Sequence, residues 1–183
     1  MNFIAPTKAH SLFVITAILL LTFLPSVTAA SETHLNVTAL TYRGNVSILQ
    51  CWSLEPPFVI PESGTGPTGA AVAGLGAVAG NASFIVQGPG SVGGYKNAPR
   101  AQWSWFISGL GHITLPESTD EAWIVGGRYG LVFADDVYTS GHYTTFPSKD
   151  ETVLLGLPVL DGQQPEHEVL HEGACEWEDL IEV

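Results

Sequence analysis

The side chains best suited to chemistry in this sequence lie between Gly90 and Pro147. They include an amine, an amide and an imidazole, which belong to Lys96, Gln102 and His142. Donors of this kind stabilise negative charge that develops on the oxygen of a bound molecule. We therefore take these three residues as the catalytic candidates.

Other residues near them predict a binding pocket. If Gln102 points inward, the alternation of a β-strand turns Ser104 and Phe106 to the same side. It places the neighbouring tryptophans, Trp103 and Trp105, on the opposite face. Apolar walls with a few polar groups are typical of small-molecule pockets. The ligand-binding candidates are Tyr95, Asn97, Arg100, Ser104 and Phe106.

The same residues also have purely structural interpretations, which the sequence leaves open. Lys96 and Arg100 are the cations of a loop and could be solvated, or paired with the Asp135-Asp136 doublet. The tryptophans could pack between sheets, and His142 could be a structural histidine. The sequence does not decide between these roles and the functional ones.

The elements that position these residues are short strands. Between Gly90 and Pro147, apolar runs alternate with Gly, Pro, Ser and Asp at intervals of about ten residues, a cadence typical of a small antiparallel β-barrel or sandwich. Two further runs flank Arg43-Gly44-Asn45 and predict a β-hairpin or two early strands. The glycine-rich stretch 69–80 predicts a loop or a packed strand edge, because each glycine weakens a helix by about 1 kcal/mol. The predicted class is all-β.

The stretch also resembles the cupin signature, whose spacing Gly90, Lys96, Ala98, Gln102 and Gly109 reproduce. The resemblance implies a single cupin-like (jelly-roll) barrel over residues 31–160. The residues at the metal-ligand positions are Lys96, Ala98 and Gln102, and an ammonium, a methyl and an amide do not replace two imidazoles and a carboxylate. We therefore expect no catalytic metal and no cofactor.

Longer segments such as HITLPESTDEAWIVGGRYGLVFADD and the ending VLHEGAC are similar to small secreted cupin-like proteins of filamentous fungi. Some metal-free secreted proteins of fungal secondary metabolism are cyclases or pericyclases, including hetero-Diels-Alderases. The resemblance implies a barrel that binds a hydrophobic intermediate and promotes cyclisation or isomerisation by orientation and hydrogen bonding. A non-enzymatic ligand carrier or host-interaction protein is the chief alternative. A metal-dependent cupin using His112, His142 and an acid is a third.

The compartment is predicted from the N-terminus, the cysteines and the sequons. Residues 1–30 carry one lysine, an apolar run and then small residues, the layout of a secretory signal peptide, with a transmembrane anchor as the alternative. In an oxidising compartment the two cysteines, Cys51 and Cys175, predict one disulfide, worth about 4 kcal/mol for so long a loop, with two free thiols as the alternative. The glycosylation candidates are Asn36, Asn45 and Asn81.

The net charge of −12 limits the partners. Attraction to nucleic acid or to an anionic membrane needs clustered Lys and Arg, so we expect neither as a partner of the secreted protein. A hydrophobic small molecule is the expected ligand, and the sequence gives no oligomeric state. Eight acidic residues lie in residues 161–183, which are predicted to form a solvated acidic tail rather than a metal site at His167 and His171.

Overall fold

The computed structural model describes residues 33–66 and 69–181, and within them the regular secondary structure is almost entirely β-strand. The strands are β1 (His34–Arg43), β2 (Val46–Pro57), β3 (Ser83–Gln87), β4 (Ser91–Lys96), β5 (Gln102–Ser108), β6 (Leu110–Thr114), β7 (Glu121–Val125), β8 (Leu131–Ala134), β9 (His142–Phe146), β10 (Thr152–Pro158) and β11 (His167–Glu172). A 3-10 turn (Leu160–Gly162) and a short helix, α1 (Trp177–Ile181), complete them. The all-β prediction is confirmed.

The strands form two sheets and not a closed barrel. The larger sheet has seven strands in the order β11-β2-β1-β8-β5-β10-β3, and the smaller has four in the order β4-β9-β6-β7. All strand pairs are antiparallel except β1 with β8. The predicted hairpin is present, because β1 pairs with β2 around Gly44 and Asn45. The architecture corresponds to the sandwich alternative of the sequence prediction.

One hydrophobic core joins the two sheets. It takes side chains from the larger sheet, including Leu40, Phe106 and Val132, and from the smaller one, including Ile113 and Phe146. Each of these residues is buried, and each alternates with a neighbour that points the other way. The core therefore brings the inner faces of β5 and β9, which carry the candidate residues, toward each other.

A second core lies on the other face of the seven-stranded sheet. Trp52, Trp103 and Phe133 are fully buried there, and the indole N–H of Trp103 donates to the carbonyl of Leu75 at 2.9 Å. Leu75 belongs to the glycine-rich stretch, which is a loop with two isolated bridges, as expected. The loop covers tryptophan side chains that would otherwise be exposed to solvent.

The acidic C-terminal segment differs from the expected solvated tail. Its β11 pairs with β2, and the disulfide between Cys51 and Cys175 ties the next turn to the same strand. His167 stacks on Trp52, with ring centroids 3.6 Å apart. The segment shows no hydrophobic period because β11 is an edge strand with little buried surface, held by backbone hydrogen bonds that the sequence does not reveal.

Residues 1–30, the predicted signal peptide, lie outside the described residues. Among those that are described, no helix has the length and hydropathy needed to cross a membrane. The disulfide confirms the cysteine pairing predicted from the sequence, and such bonds are typical of oxidising compartments.

Candidate functional site

Six of the eight candidate residues line one cavity between the two sheets. The cavity has a volume of about 170 Å³, and the six are Lys96, Asn97, Gln102, Ser104, Phe106 and His142. Its other walls are mostly apolar and include Leu40, Ile113 and Leu154. The side-chain alternation of β5 does bring Gln102, Ser104 and Phe106 to one face. Residues that are distant in sequence thus meet at one site.

His142 is held by a buried carboxylate at one end of this cavity. Its Nδ1 lies 2.6 Å from Oδ2 of Asp136, and the two residues are 5% and 0% exposed. A carboxylate oxygen accepts, so Nδ1 is the donor, and the neutral imidazole then carries its lone pair on Nε2. The carboxylate therefore fixes both the ring orientation and the tautomer of His142.

His142 lines the cavity, and Asp136 contacts only its Nδ1. Among residues 33–66 and 69–181, every side-chain nitrogen or oxygen that is sealed from solvent has a hydrogen-bond partner. Nε2 of His142 has no hydrogen-bond partner within these residues, so it is not sealed, and the cavity is an open space that His142 lines. Nε2 is thus in a position to bind or exchange a proton with a molecule there.

Asp136 lies in a short turn between β8 and β9, and hydrogen bonds from other segments hold it in place. The backbone N–H of Ala98 donates to Oδ1 of Asp136 at 3.0 Å, and the hydroxyl of Ser47 donates to Oδ2 at 3.4 Å. Nδ2 of Asn97 donates to the carbonyl oxygens of Asp136 and Thr139 at 2.7 and 3.1 Å. Although Asn97 lines the cavity, its amide nitrogen holds the turn and is not free for a ligand.

Asp135, the neighbour of Asp136, points to a different partner. Nε2 of Gln164 donates to its Oδ2 at 2.7 Å. Burial raises the pKa of the Asp135 carboxyl, the hydrogen bond from Gln164 lowers it, and the nearby Asp136 raises it. The two adjacent carboxylates therefore do not form a shared acid/base pair, and only Asp136 contacts the histidine.

Lys96 lies opposite His142 in the register of β4 with β9. The residue as a whole is exposed, but its ammonium end is close to the protein, since a Cβ added at Gly93 would be 3.7 Å from Nζ. Desolvation lowers the pKa of the Lys96 amine, and the attraction of Asp136 partly offsets that shift.

Gln102 and Ser104 form a polar pair on the opposite wall. Nε2 of Gln102 donates to Oγ of Ser104 at 3.1 Å. The side chain of Gln102 also lies 3.5 Å from the position that a Cβ would take at Gly156. This distance is an ordinary van der Waals contact, so the amide of Gln102 packs closely over Gly156 beside the cavity.

Two candidates, Tyr95 and Arg100, do not line this cavity. Tyr95 is on the outer face of β4, and its hydroxyl donates to the carbonyl of Ser140 at 2.9 Å. Arg100 lines a separate surface depression with Tyr42 and Tyr138. Tyr95 and Lys96 are consecutive residues of β4, so strand alternation turns them to opposite faces, and Lys96 is the one that lines the cavity.

The histidines of the metal-dependent alternative lie apart. His142 faces the inter-sheet cavity, whereas His112 lies on the outer face of the smaller sheet, stacked on Trp123. In the described residues one cluster has three potential ligand atoms close together, those of Cys51, His171 and Asp179. The sulfur of Cys51 is bonded to Cys175, so it is not available as a thiolate.

A larger cavity of about 440 Å³ lies beside the second core, and its lining includes Leu35, Phe58, Trp105 and Leu131. It contains none of the catalytic candidates and no buried pair of ionisable groups. The inter-sheet cavity is smaller, but it holds the Asp136–His142 pair and a lysine with a shifted pKa. Such a combination is typical of functional sites, so we regard the smaller cavity as the candidate site.

The three sequons differ in accessibility. Asn45 and Asn81 are exposed. Asn36 is partly buried, and its Nδ2 donates to the backbone carbonyl of Asp179 in α1 at 2.8 Å. Because a glycan is attached through that same nitrogen, Asn36 is the sequon least compatible with glycosylation of the folded protein.

Comparisons with protein-family models, with curated proteins and with solved structures found no match to this chain. The likeness to cupin-like proteins therefore stays a prediction.

Asp136 is the site residue that the sequence did not identify. Its signal in the sequence is weak, because aspartate is a common residue in turns. Asp136 reaches the site because the turn from Val137 to Gly141 reverses the chain. The turn brings His142 back to the Asp136 carboxylate. The sequence shows the turn-forming residues but not which side chains the turn brings together.

Proposed function

We propose that this protein is a cofactor-independent enzyme that binds a small, largely apolar and polarised molecule between its two sheets and promotes its cyclisation or isomerisation. The Asp136–His142 pair carries the proposal. The two side chains are buried and 2.6 Å apart, and His142 lines a largely apolar cavity. This arrangement supports proton transfer to or from a bound molecule.

Each residue has a distinct role in the proposed reaction. Nε2 of His142 takes a proton from the substrate or returns one to it, while Asp136 holds the ring and stabilises the imidazolium that forms. Lys96 or Gln102 donates a hydrogen bond to the oxygen on which negative charge develops. The apolar walls orient the carbon skeleton and exclude water. A hetero-Diels-Alder reaction fits the same site, with the donors polarising the oxygen and the walls aligning the reacting ends.

The cavity volume restricts the substrate. Sites for drug-sized ligands have volumes of roughly 300–1,000 Å³, and about 170 Å³ is smaller. The site therefore accepts a small molecule or the reactive part of a larger one whose remainder lies outside. Lys96 and Pro99, which are exposed members of the lining, mark the side on which such a remainder would emerge.

The proposal includes the context implied by the sequence. The protein would be a jelly-roll of the cupin-like type with an acidic C-terminal segment, secreted after loss of residues 1–30 and glycosylated, and acting in fungal secondary metabolism. The all-β sandwich and the disulfide between Cys51 and Cys175 support this context.

The test is incubation of the secreted, deglycosylated protein with an organic extract of the producing culture. Native mass spectrometry then detects bound metabolites, and chromatography with mass detection detects compounds that are consumed or formed. We expect conversion by the unmodified protein and by Arg100→Ala, whose residue lies outside the cavity. We expect His142→Asn to bind the same compound but to convert it at least about a hundredfold more slowly.

The alternatives give other outcomes. A compound that is bound but not changed, equally by the unmodified protein and by His142→Asn, would identify a ligand carrier. A protein that binds nothing and converts nothing would rule out the proposed activity and favour a host-interaction protein. Thermal unfolding of each variant shows whether a loss of activity reflects a loss of fold.

A further inference from the structure

A second surface with binding character lies on the outer face of the four-stranded sheet, on the side away from the cavity. We define the aromatic face as the outward side chains of this sheet, which are Val92, Tyr95, His112, Thr114, Glu121, Trp123, Val125, Tyr143 and Thr145. Tyr95, Tyr143 and Trp123 are 56%, 44% and 53% exposed. Large exposed aromatic side chains that share one face of a sheet are typical of interaction sites.

The strand register arranges these residues in rows. Tyr95 lies opposite Tyr143, and their ring centroids are 5.4 Å apart. His112 lies opposite Trp123, with centroids 3.9 Å apart and nearly parallel rings. The strands of Tyr143 and Trp123 are separated by β6, and Tyr143 lies opposite Thr114, two residues from His112. The two aromatic pairs are therefore offset by about 10 Å across the sheet and about 7 Å along the strands. An extended ligand that crosses the sheet diagonally would contact both pairs.

Hydrogen bonds hold the rings in place before any ligand arrives. The indole N–H of Trp123 donates to Oε1 of Glu121 at 3.2 Å, and Nε2 of His112 donates to Oε2 of the same carboxylate at 2.8 Å. His112 covers one face of the indole, and about half of the Trp123 surface is still exposed. Because an ordered ring loses little entropy when a ligand stacks on it, this arrangement favours binding.

The chemistry of the aromatic face fits a neutral polysaccharide. A sugar ring has C–H groups on its faces, which the negative face of an aromatic ring attracts, and hydroxyl groups around its rim. Threonine hydroxyls lie between the rings, at Thr114 and Thr145, and can exchange hydrogen bonds with those rims. We therefore propose that the aromatic face binds a neutral polysaccharide chain by stacking on Trp123 and on the Tyr95–Tyr143 pair.

Other classes of partner fit less well. The net charge of −12, and the absence of Lys and Arg from the outward positions of these four described strands, oppose polyanions such as nucleic acid. A basic peptide would need a free carboxylate, but both oxygens of Glu121 already accept hydrogen bonds. An apolar partner would have to desolvate the threonines and Glu121 that separate the rings.

The test is retention of the full secreted protein on insoluble cellulose, chitin and β-1,3-glucan. We expect retention on at least one of them, undiminished in about 0.5 M NaCl because the ligand carries no charge. Trp123→Ala and Tyr143→Ala should each weaken binding about tenfold or more. Tyr138→Ala is the matched control, since Tyr138 is 92% exposed and lies outside the aromatic face.

Three outcomes would overturn the proposal. They are failure to bind any of the polymers, an equal loss of binding in Tyr138→Ala, and retention on immobilised polylysine alone. Trp123→Phe, which keeps an aromatic ring, preserves binding if stacking is the cause and guards against a folding defect of Trp123→Ala. His142→Asn should bind the polymer normally, which separates this surface from the proposed enzymatic site.

Discussion

Lys96 and His142 lie directly opposite each other on β4 and β9. The strand register thus places a desolvated amine beside an imidazole, and the Asp136 carboxylate fixes the orientation of that imidazole. The pairing brings both kinds of group to one side of the inter-sheet cavity. Because Asp136 interacts with both residues, a change of this carboxylate should be detected at the lysine as well as at the histidine.

The first prediction concerns the pKa of Lys96. Desolvation lowers it and Asp136 raises it, so Asp136→Asn should lower it further. Reductive methylation with ¹³C-formaldehyde followed by an NMR pH titration measures this pKa. The unfolded protein in denaturant is the reference, and the folded Lys96 signal should titrate at a lower pH than in that reference. An increase in the pKa on Asp136→Asn would contradict the assigned interaction.

The second prediction concerns the turn that returns His142 to Asp136. Gly141 has φ of +66°, and an added Cβ would lie 2.8 Å from the carbonyl oxygen of Lys96. We expect Gly141→Ala to lower the free energy of unfolding by about 2–3 kcal/mol, from backbone strain and displacement of β4. Denaturant titration measures the loss.

Gly44→Ala is the control for this change. Gly44 has nearly the same φ, +64°, but no atom within 4 Å of the added Cβ. It should therefore cost about 1–2 kcal/mol, from the backbone conformation alone. Equal losses for the two variants would mean that the contact with the Lys96 carbonyl contributes nothing.

The third prediction concerns the disulfide. Cys51 and Cys175 are separated by 124 residues, and the bond restricts a long loop in the unfolded chain. Replacing both cysteines by alanine should reduce the free energy of unfolding by about 4 kcal/mol. The same denaturant titration with and without a reducing agent provides a check, since reduction should destabilise the native protein but leave the double variant unchanged.

The fourth prediction is a pH dependence at the C-terminal segment. Nδ1 of His171 donates to the backbone carbonyl of Glu172 and Nε2 donates to Asp179, and these bonds, in that order, raise the pKa of His171. A raised pKa means that the stabilisation is complete below the unfolded value of about 6.5 and is lost as the pH rises through the folded value.

Melting temperatures of the unmodified protein and of His171→Asn test this at about pH 5.5 and pH 8.5. The melting temperature of the unmodified protein should exceed that of His171→Asn by more at the lower pH than at the higher pH. The difference should be modest, because the His171 side chain is 38% exposed and its charge is screened. In combination with Asp179→Asn the effect should be less than additive. An advantage that is larger at the higher pH would contradict the assignment.

The fifth prediction concerns the sequons. Asn45 and Asn81 are exposed, whereas Nδ2 of Asn36 is bonded to α1. If the protein is glycosylated, peptide mapping of the secreted form should find glycans on Asn45 or Asn81 in preference to Asn36. Full occupancy of Asn36 would show that α1 is displaced from β1 in the mature protein.

Much of the fold was accessible from the sequence because it depends on local patterns. The alternation around Gly44 predicted the β1–β2 hairpin, and the glycines of 69–80 predicted a loop. The inward side of β5 followed from the two-residue period of a strand, which correctly grouped Gln102 with Ser104 and Phe106. The two cysteines predicted the disulfide because a chain with one pair has one possible pairing.

The tertiary structure decided what depends on contacts between distant segments. The extent of β4, which includes both Tyr95 and Lys96, put these two neighbours on opposite faces of the sheet, and a short turn joined Asp136 to His142. Backbone hydrogen bonds converted the acidic end into β11, although its side chains carry no strand pattern. Sequence periodicity reports which face of a strand is buried, but strand order, bulges and close approach of side chains arise from long-range packing, which no local pattern encodes.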